Sequence, residues 1–403
     1  MKKIDQRIIV PARRVANVTY AVRDVVVLAD QVARTGKKMF YLNIGDPNKF
    51  DFVTPGHIVD AICRALRDNK NSYSPSSGIE EAREAIRADA ERRGIRSIRD
   101  IFVTTGATEA IDICFAALAN KGENVLVPVP GYPTYNAILT KLEVEPRPYF
   151  LNEADGWQPD LDDIRGKIDS KTRALVLINP NNPTGAFYGR ETIEALVNLA
   201  AEKNVVLFSD EIYDRLLLDD REYVSPAALN PAAPVVTMNG LSKNYLAPGF
   251  RLGWGIVSGR EAALKDYIEA VNKLLRARLC ANHPEQYAIK AALEGDQGHL
   301  KEVNAKLARR RDLIMELLNS VEGISCVKPE GAFYAFPRVE IEEPDREFCE
   351  SLVRETGVVV VPGSGFGQMP GSSHFRVVFL PPEDILREAC EKITQFYRRR
   401  RRG

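Results

Sequence analysis

The middle of the chain alternates short apolar runs with longer segments whose apolar residues recur at helical spacing. The runs at Ile101–Thr104, Asn124–Pro128, Ala174–Ile178, Val205–Ser209, Val235–Met238 and Gly255–Val257 have the length and content of buried strands. Helix-length segments such as Glu109–Ala119 and Arg190–Lys203 separate several of them. Strand and helix in alternation predict an α/β fold, a largely parallel sheet with helices on both faces. In such sheets ligands gather at the carboxyl ends of the strands. The residues just after each run are therefore the places to look for chemistry.

The C-terminal part has a different rhythm. A long charged helical pattern, Leu300–Ser320, precedes strand candidates at Ala332–Phe336, Val358–Val361 and Phe375–Phe379, and a final helix runs over Glu383–Tyr397. This predicts a second, smaller α+β domain. Residues 398–402 are all arginine and read as a solvated helix end, with a weak anion contact as the alternative.

Charge narrows the function. Lys plus Arg equals Asp plus Glu at 55 each, so the formal net charge is zero, which argues against a dedicated nucleic-acid binder. The 403 residues are enough for two or three domains, and 45% apolar with 27% charged content is that of an ordinary globular protein. No apolar run follows the charges of Met1–Arg7, so no signal peptide is indicated, and no stretch nears the roughly 18 apolar residues of a membrane span. A cytoplasmic home is the expectation. The six cysteines are far apart with no Cys-x-x-Cys, so neither a zinc site nor a disulfide framework is indicated, and reduced core thiols are expected.

Lys243 carries the most information. It stands in Asn239-Gly240-Leu241-Ser242-Lys243, just past an apolar run, and Arg251 follows within Pro248-Gly249-Phe250-Arg251-Leu252-Gly253. A buried amine can lose its proton near neutral pH and form a Schiff base with an aldehyde. An arginine nearby can hold a phosphate with its planar fork. Together they suggest pyridoxal 5'-phosphate (PLP), an aldehyde that carries a phosphate; a surface lysine and a core-edge arginine are the alternative.

Other run ends add to this. Thr105-Gly106-Ala107-Thr108 is a tight turn into a helix start, which suits a phosphate or a plain capped helix. Gly131-Tyr132-Pro133 offers an aromatic ring for stacking on a flat cofactor or for core packing. Asn179-Pro180-Asn181-Asn182-Pro183-Thr184-Gly185 is a rigid loop whose amides could bond a phenolic oxygen or a carboxylate, or serve only as a turn. Asp210, at the end of a buried run, needs a partner; a pyridinium nitrogen or a helix N-terminus would serve. Tyr213 could bond a ring hydroxyl, whereas the side chain of Glu211 should point elsewhere. Arg376 lies within an apolar strand and should meet a carboxylate, either from the protein or from a substrate.

In this order, these pieces resemble the PLP-dependent aminotransferases of fold type I, class I. The likeness rests on Asn43-Ile44-Gly45-Asp46-Pro47, Tyr73 and the segments above, and it spans essentially the whole chain. It implies a large domain with a mainly parallel seven-stranded sheet over 48–285, and a smaller α+β domain made of 1–47 and 286–403. It implies that Lys243 forms the Schiff base and moves the proton, that Asp210 pairs with the pyridine nitrogen, and that Tyr213 and Asn182 bond the ring oxygen. Tyr132 would stack on the ring. Gly106, Ala107, Thr108, Ser242 and Arg251 would form the phosphate site, with Tyr73 reaching in from a second subunit of a homodimer. Arg376 would take the substrate carboxylate, aided by Asn182 and the Gly45 backbone. The reaction would be ping-pong, through pyridoxamine phosphate.

The alanine (glutamate–pyruvate) branch is the most similar, on Asn239–Lys243, Tyr20-Ala21-Val22-Arg23-Asp24-Val25, Arg278-Leu279-Cys280-Ala281-Asn282 and His374–Val378. That implies L-alanine and 2-oxoglutarate as substrates. Tyr20, Arg23 and Arg278 are then candidates to read glutamate's second carboxylate. An aspartate or broader aminotransferase is the alternative, and a PLP-dependent β-lyase or a non-catalytic binding module are further ones. One departure stands out: family members often place a hydroxyl residue three positions before the lysine, where this chain has Gly240.

Overall fold

The computed structural model describes residues 9–18 and 21–401, with the backbone alone for 21–24. Its centre is one large sheet. From edge to edge the strands are Ile98–Thr104, Gly253–Ser258, Val235–Gly240, Val206–Asp210, Thr172–Ile178, Asn124–Val129, Glu145–Asn152 and the two-residue Gln158–Pro159. Gly253–Ser258 runs antiparallel to both its neighbours, and Gln158–Pro159 folds back on Glu145–Asn152 as an antiparallel edge. The other pairings are parallel. The expected seven-stranded sheet is thus present with an eighth, minimal strand added.

Both faces of the sheet are buried, as the continuous apolar runs demand. Leu175 and Leu177 enter one apolar cluster, while Ala174, Val176 and Ile178 enter another on the opposite face. Leu207 and Phe208, then Val235 and Val236, divide in the same way. Helices cover each face. The helix Glu80–Arg92 buries Ala82, Ala85, Ile86, Asp89 and Ala90, the single stripe expected at helical period.

Glu145–Asn152 was not foreseen as a strand. It holds Pro146, Pro148 and Arg147, and only Tyr149 and Leu151 are buried, so it lacks the apolar run that marked the others. Prolines are tolerated there because the strand lies next to the sheet edge.

A third apolar cluster gathers residues of 303–397 with Phe40, Leu42 and Phe52. Its framework is the long helix Gly298–Asn319, the helix Asp345–Thr356 and the last helix, Glu383–Arg401. Three short strands, Tyr334–Ala335, Phe375–Val378 and Val361–Pro362, form an antiparallel sheet. Phe40–Tyr41 pairs in parallel with Val358–Val359, which ties the N-terminal segment to this part. The arginine run is an exposed helix end, as expected: the helix continues through Arg401, and Arg399, Arg400 and Arg401 also pair with Glu355, Glu343 and Glu322. Such exposed pairs contribute little stability. Cys114, Cys326, Cys349 and Cys390 are buried thiols, as expected, while Cys63 and Cys280 are partly exposed. No helix of the described residues is long and apolar enough to cross a membrane.

Candidate active site

The carboxyl ends of the strands open on a cavity of about 750 Å³. Its lining includes Gly45, Ala107, Thr108, Tyr132, Asn182, Asp210, Tyr213, Ser242, Lys243, Arg251 and Arg376. Residues named separately from run ends over more than 330 positions of sequence therefore share one space, because the sheet brings its strand ends together.

One end of the cavity is built for an anion. The helix Ala107–Leu118 starts there, after Gly106 at φ 80°. A side chain on Gly106 would strike the guanidinium of Arg251, and one on Gly253 would strike the Ala107 amide, so both glycines are required by close approach. Arg251 itself has a left-handed backbone, φ 52°, and donates to the Pro248 carbonyl at 2.9 Å. Free amides at a helix start, the Thr108 and Ser242 hydroxyls and this guanidinium are the donors a phosphate requires. Gly240 has a physical reason as well: a Cβ there would lie 2.6 Å from the Leu252 carbonyl oxygen and 3.0 Å from Gly253 Cα. The tight pairing of Gly240 with Gly253 leaves no room for the hydroxyl residue common elsewhere.

Lys243 Nζ donates to the Gly45 carbonyl at 2.6 Å and lies 5.5 Å from the Phe333 ring centroid. Burial pulls its pKa down to about 8; Asp46 opposes that shift, while Arg376 and Arg251 add to it. A substantial fraction of the amine is thus neutral in ordinary buffers.

Asp210 is buried at the end of Val206–Asp210. Burial pushes its carboxyl up to about 6, against hydrogen bonds from Tyr135 Oη at 2.9 Å and the Ile212 amide at 3.3 Å. The charge of Glu211 adds to the upward shift. Glu211 turns away from the cavity to Ser209, Ser225 and Arg93, as the sequence suggested. Tyr213 Oη lies 2.8 Å from Tyr334 Oη, and burial raises the Tyr213 phenol well above its ordinary value.

Arg376 is 2% exposed. It donates to Asn182 Oδ1 at 3.0 Å and to the Asn43 carbonyl at 2.6 Å, and it lies between the rings of Tyr334 and Phe366, 4.6 and 4.7 Å from their centroids. An internal salt bridge and a substrate carboxylate were the two expected settings for it; the hydrogen bonds to Asn182 and Asn43 are to amide oxygens, and it faces the cavity.

Other expected residues lie elsewhere. Tyr73 is 78% exposed and is not part of this chain's cavity lining. Arg278 is also absent from this chain's lining; it donates to Glu109 at 3.1 Å and to the carbonyls of Ser76 and Val103. Its place at the end of the long helix Glu261–Arg278 sets it against those groups. Tyr20 and the side chain of Arg23 lie outside the described residues.

Sequence reasoning missed Tyr135, Tyr334, Asp46 and Lys49. Tyr135 follows Tyr132 by three residues, one helical turn, and that spacing was the available signal. Tyr334 sat in a strand candidate with no mark of chemistry.

A phosphate site, a poised amine, a buried carboxylate and a carboxylate-binding arginine in one cavity match PLP and an amino-acid substrate, and define a PLP-dependent transaminase. The chain belongs to the family of class I and II aminotransferases, whose pattern matches residues 37–393; PLP is the cofactor of this family. It is 38% identical over 392 residues to the glutamate–pyruvate aminotransferase AlaA of Escherichia coli K12, covering 95% of this chain and 96% of that one. It is 37% identical over 401 residues to the alanine aminotransferase of Mycobacterium bovis, covering 97% and 93%. The solved alanine aminotransferase of Pyrococcus furiosus superposes with a TM-score of 0.93 at 43% identity, covering 97% of this chain and all of that one.

Proposed function

We propose that this enzyme moves the amino group between L-alanine and 2-oxoglutarate, forming pyruvate and L-glutamate. The observation that carries this reading is the convergence of Lys243, Asp210 and Arg376 on one cavity, in a chain similar over nearly its full length to alanine aminotransferases.

The roles are those that the family resemblance implies, and the geometry supports them. Arg376, held by Asn182 and the Asn43 carbonyl, takes the substrate α-carboxylate with its planar fork. Bound PLP supplies an aldehyde for the amine and a ring that stores the electron pair left when the Cα proton departs. Lys243 would hold the aldehyde at rest, and its Nζ, once free, would take up that proton and return it. Asp210, anionic above about pH 6, holds the proton of the ring nitrogen. Tyr213 and Asn182, which line the cavity, would bond the ring oxygen of bound PLP, and Tyr132 would supply a stacking ring. Gly106, Ala107, Thr108, Ser242 and Arg251 hold the phosphate.

Tyr73, exposed in one chain, completes the phosphate site of a second copy in a homodimer. Tyr20, Arg23 and Arg278 are the candidates for the side-chain carboxylate of glutamate. The chain divides into a large domain at 48–285 and a small one built from 1–47 and 286–403, a reading that the apolar cluster made mostly of residues 303–397 with Phe40 and Leu42 supports. The enzyme works in the cytoplasm.

The test is a half-reaction. L-Alanine, L-glutamate, L-aspartate and an aromatic amino acid are each added to PLP-loaded enzyme, and the absorbance of the lysine-bound cofactor is followed. Loss of the band with alanine and glutamate is expected. A band that survives alanine but is lost with aspartate would refute the alanine assignment and keep the family.

A further inference from the structure

A buried guanidinium lies just outside the cavity and takes no part in the chemistry above. Arg93 is the C-terminal cap residue of the helix Glu80–Arg92, and its side chain is 18% exposed. It is ion-paired with the fully buried Glu211 and, at 3.0 Å, with Asp214, whose side chain is 2% exposed. Arg93, Glu211 and Asp214 are all absent from the cavity lining. Burying three charges is costly, so the arrangement needs a reason.

Each carboxylate is joined to a residue of the active site. Glu211 follows Asp210 directly; its amide donates to the Met238 carbonyl at 2.9 Å, and its Oε1 accepts from Ser209 at 2.9 Å and Ser225 at 2.6 Å. Asp214 Oδ1 accepts from Asn244 Nδ2 at 2.6 Å, and Asn244 follows Lys243 directly. On the far side of that turn, His299 Nε2 lies 3.0 Å from the Asn244 carbonyl oxygen. One guanidinium thus grips both the carboxylate beside Asp210 and the carboxylate that holds the neighbour of Lys243.

We infer that Arg93 is a positioning residue that ties the Asp210 and Lys243 ends of the active site together and offsets the charge of Glu211 beside Asp210. This rests on the PLP reading of the cavity. The titratable groups facing Asp210 are Tyr135 from the helix Pro133–Lys141, Tyr213 from its own loop, and Glu211; Lys243, Arg251 and Arg376 line the same cavity. Of these, Glu211 is bound to Arg93. Burial raises the Glu211 carboxyl, and Arg93 draws it back down.

The test uses the full-length protein and PLP titrations from pH 5 to 9, beside steady-state kinetics. Arg93→Gln is expected to bind PLP at least tenfold more weakly at pH 8. It should also lose about tenfold in kcat at saturating PLP, with KM for L-alanine within twofold, because Arg93, Glu211 and Asp214 lie outside the lining of the cavity that Arg376 faces. Arg93→Lys, which keeps the charge, should recover most of the affinity. Glu211→Gln keeps the shape and the serine bonds but removes the charge next to Asp210. The acid limb of its PLP binding should therefore move down by about one pH unit. Wild-type PLP affinity and kcat in a folded Arg93→Gln would overturn the inference. If that variant does not fold, an unmoved acid limb in Glu211→Gln overturns it. Failure of the unaltered protein to bind PLP would instead overturn the reading of the cavity.

Discussion

The capture of PLP by the cofactor-free protein should follow the titration of Lys243. Only the neutral amine attacks an aldehyde. With the pKa lowered to about 8, the amine is about 9% neutral at pH 7, against about 0.03% for a lysine at the ordinary value of 10.5. Burial therefore gives about a 300-fold larger reactive fraction at that pH. The sign is fixed by the cause, since burial disfavours the charged form and an amine loses charge by losing its proton.

The assay is rapid mixing of cofactor-free protein with PLP at pH 6.5 to 10.5, reading the rate at which the lysine-bound absorbance appears. The rate should climb about tenfold per pH unit below the midpoint and level off above about pH 8.5. Two substitutions check the electrostatic account from opposite sides. Asp46→Asn removes a negative charge that favours the ammonium form, so the midpoint should fall; the amide can still cap the turn at Asn48. Arg376→Gln removes a positive charge that disfavours it, so the midpoint should rise. A rate that keeps climbing to pH 10 in the unaltered protein would refute the reasoning, as would shifts of the same sign in both variants.

Tyr135→Phe removes a hydrogen bond to the Asp210 carboxylate, an interaction of about 1.5–3 kcal/mol for a charged acceptor, so the acid limb of PLP binding should move up by about one to two pH units. A PLP titration against pH reads this directly, and an unmoved limb would show that the phenol does not support the charge. Arg376→Lys keeps the charge but loses the fork that spans Asn182 and the incoming carboxylate, so KM for L-alanine should rise about tenfold to a hundredfold while PLP affinity stays within about twofold. Gly240→Ser adds the hydroxyl seen in other family members, yet its Cβ would press on the Leu252 carbonyl. Urea unfolding should show a loss of about 1–3 kcal/mol and PLP titration no gain in affinity.

Much of this was legible in sequence because the site is made of strand ends. A central strand such as Thr172–Ile178 is apolar on both faces, so the run and its last residue are visible without any alignment. Once the runs are parallel members of one sheet, the residues that follow them must converge, which is why Thr108, Asn182, Asp210 and Lys243 share a cavity. Glu145–Asn152 was invisible for the opposite reason: it lies near the sheet edge, half-exposed and proline-rich, and carries no apolar run. The short strands of the C-terminal part were found but overextended. Val358–Val361 reads as one run, yet Val358–Val359 pairs with Phe40–Tyr41, while Val361 begins a separate strand, Val361–Pro362, that pairs with Phe375–Arg376.

Roles fixed by contacts across the chain were the least legible. Arg278 carries the same charge whether it meets a substrate or Glu109, and only the fold shows that it reaches Glu109. Tyr135 and Glu211 each sit within a few residues of a recognised site residue, but their partners lie 75 and 118 positions away. A strand end fixes where a residue stands, and periodicity fixes which way it faces. Neither says what waits on the other side. At Asp210 that neighbour matters for function: the carboxylate must be buried to act on a ring nitrogen, and burial alone would protonate it near neutral pH. The hydrogen bonds from Tyr135 and the Ile212 amide are what keep the charge within reach, so the chemistry of Asp210 belongs to its surroundings as much as to its place in the sequence.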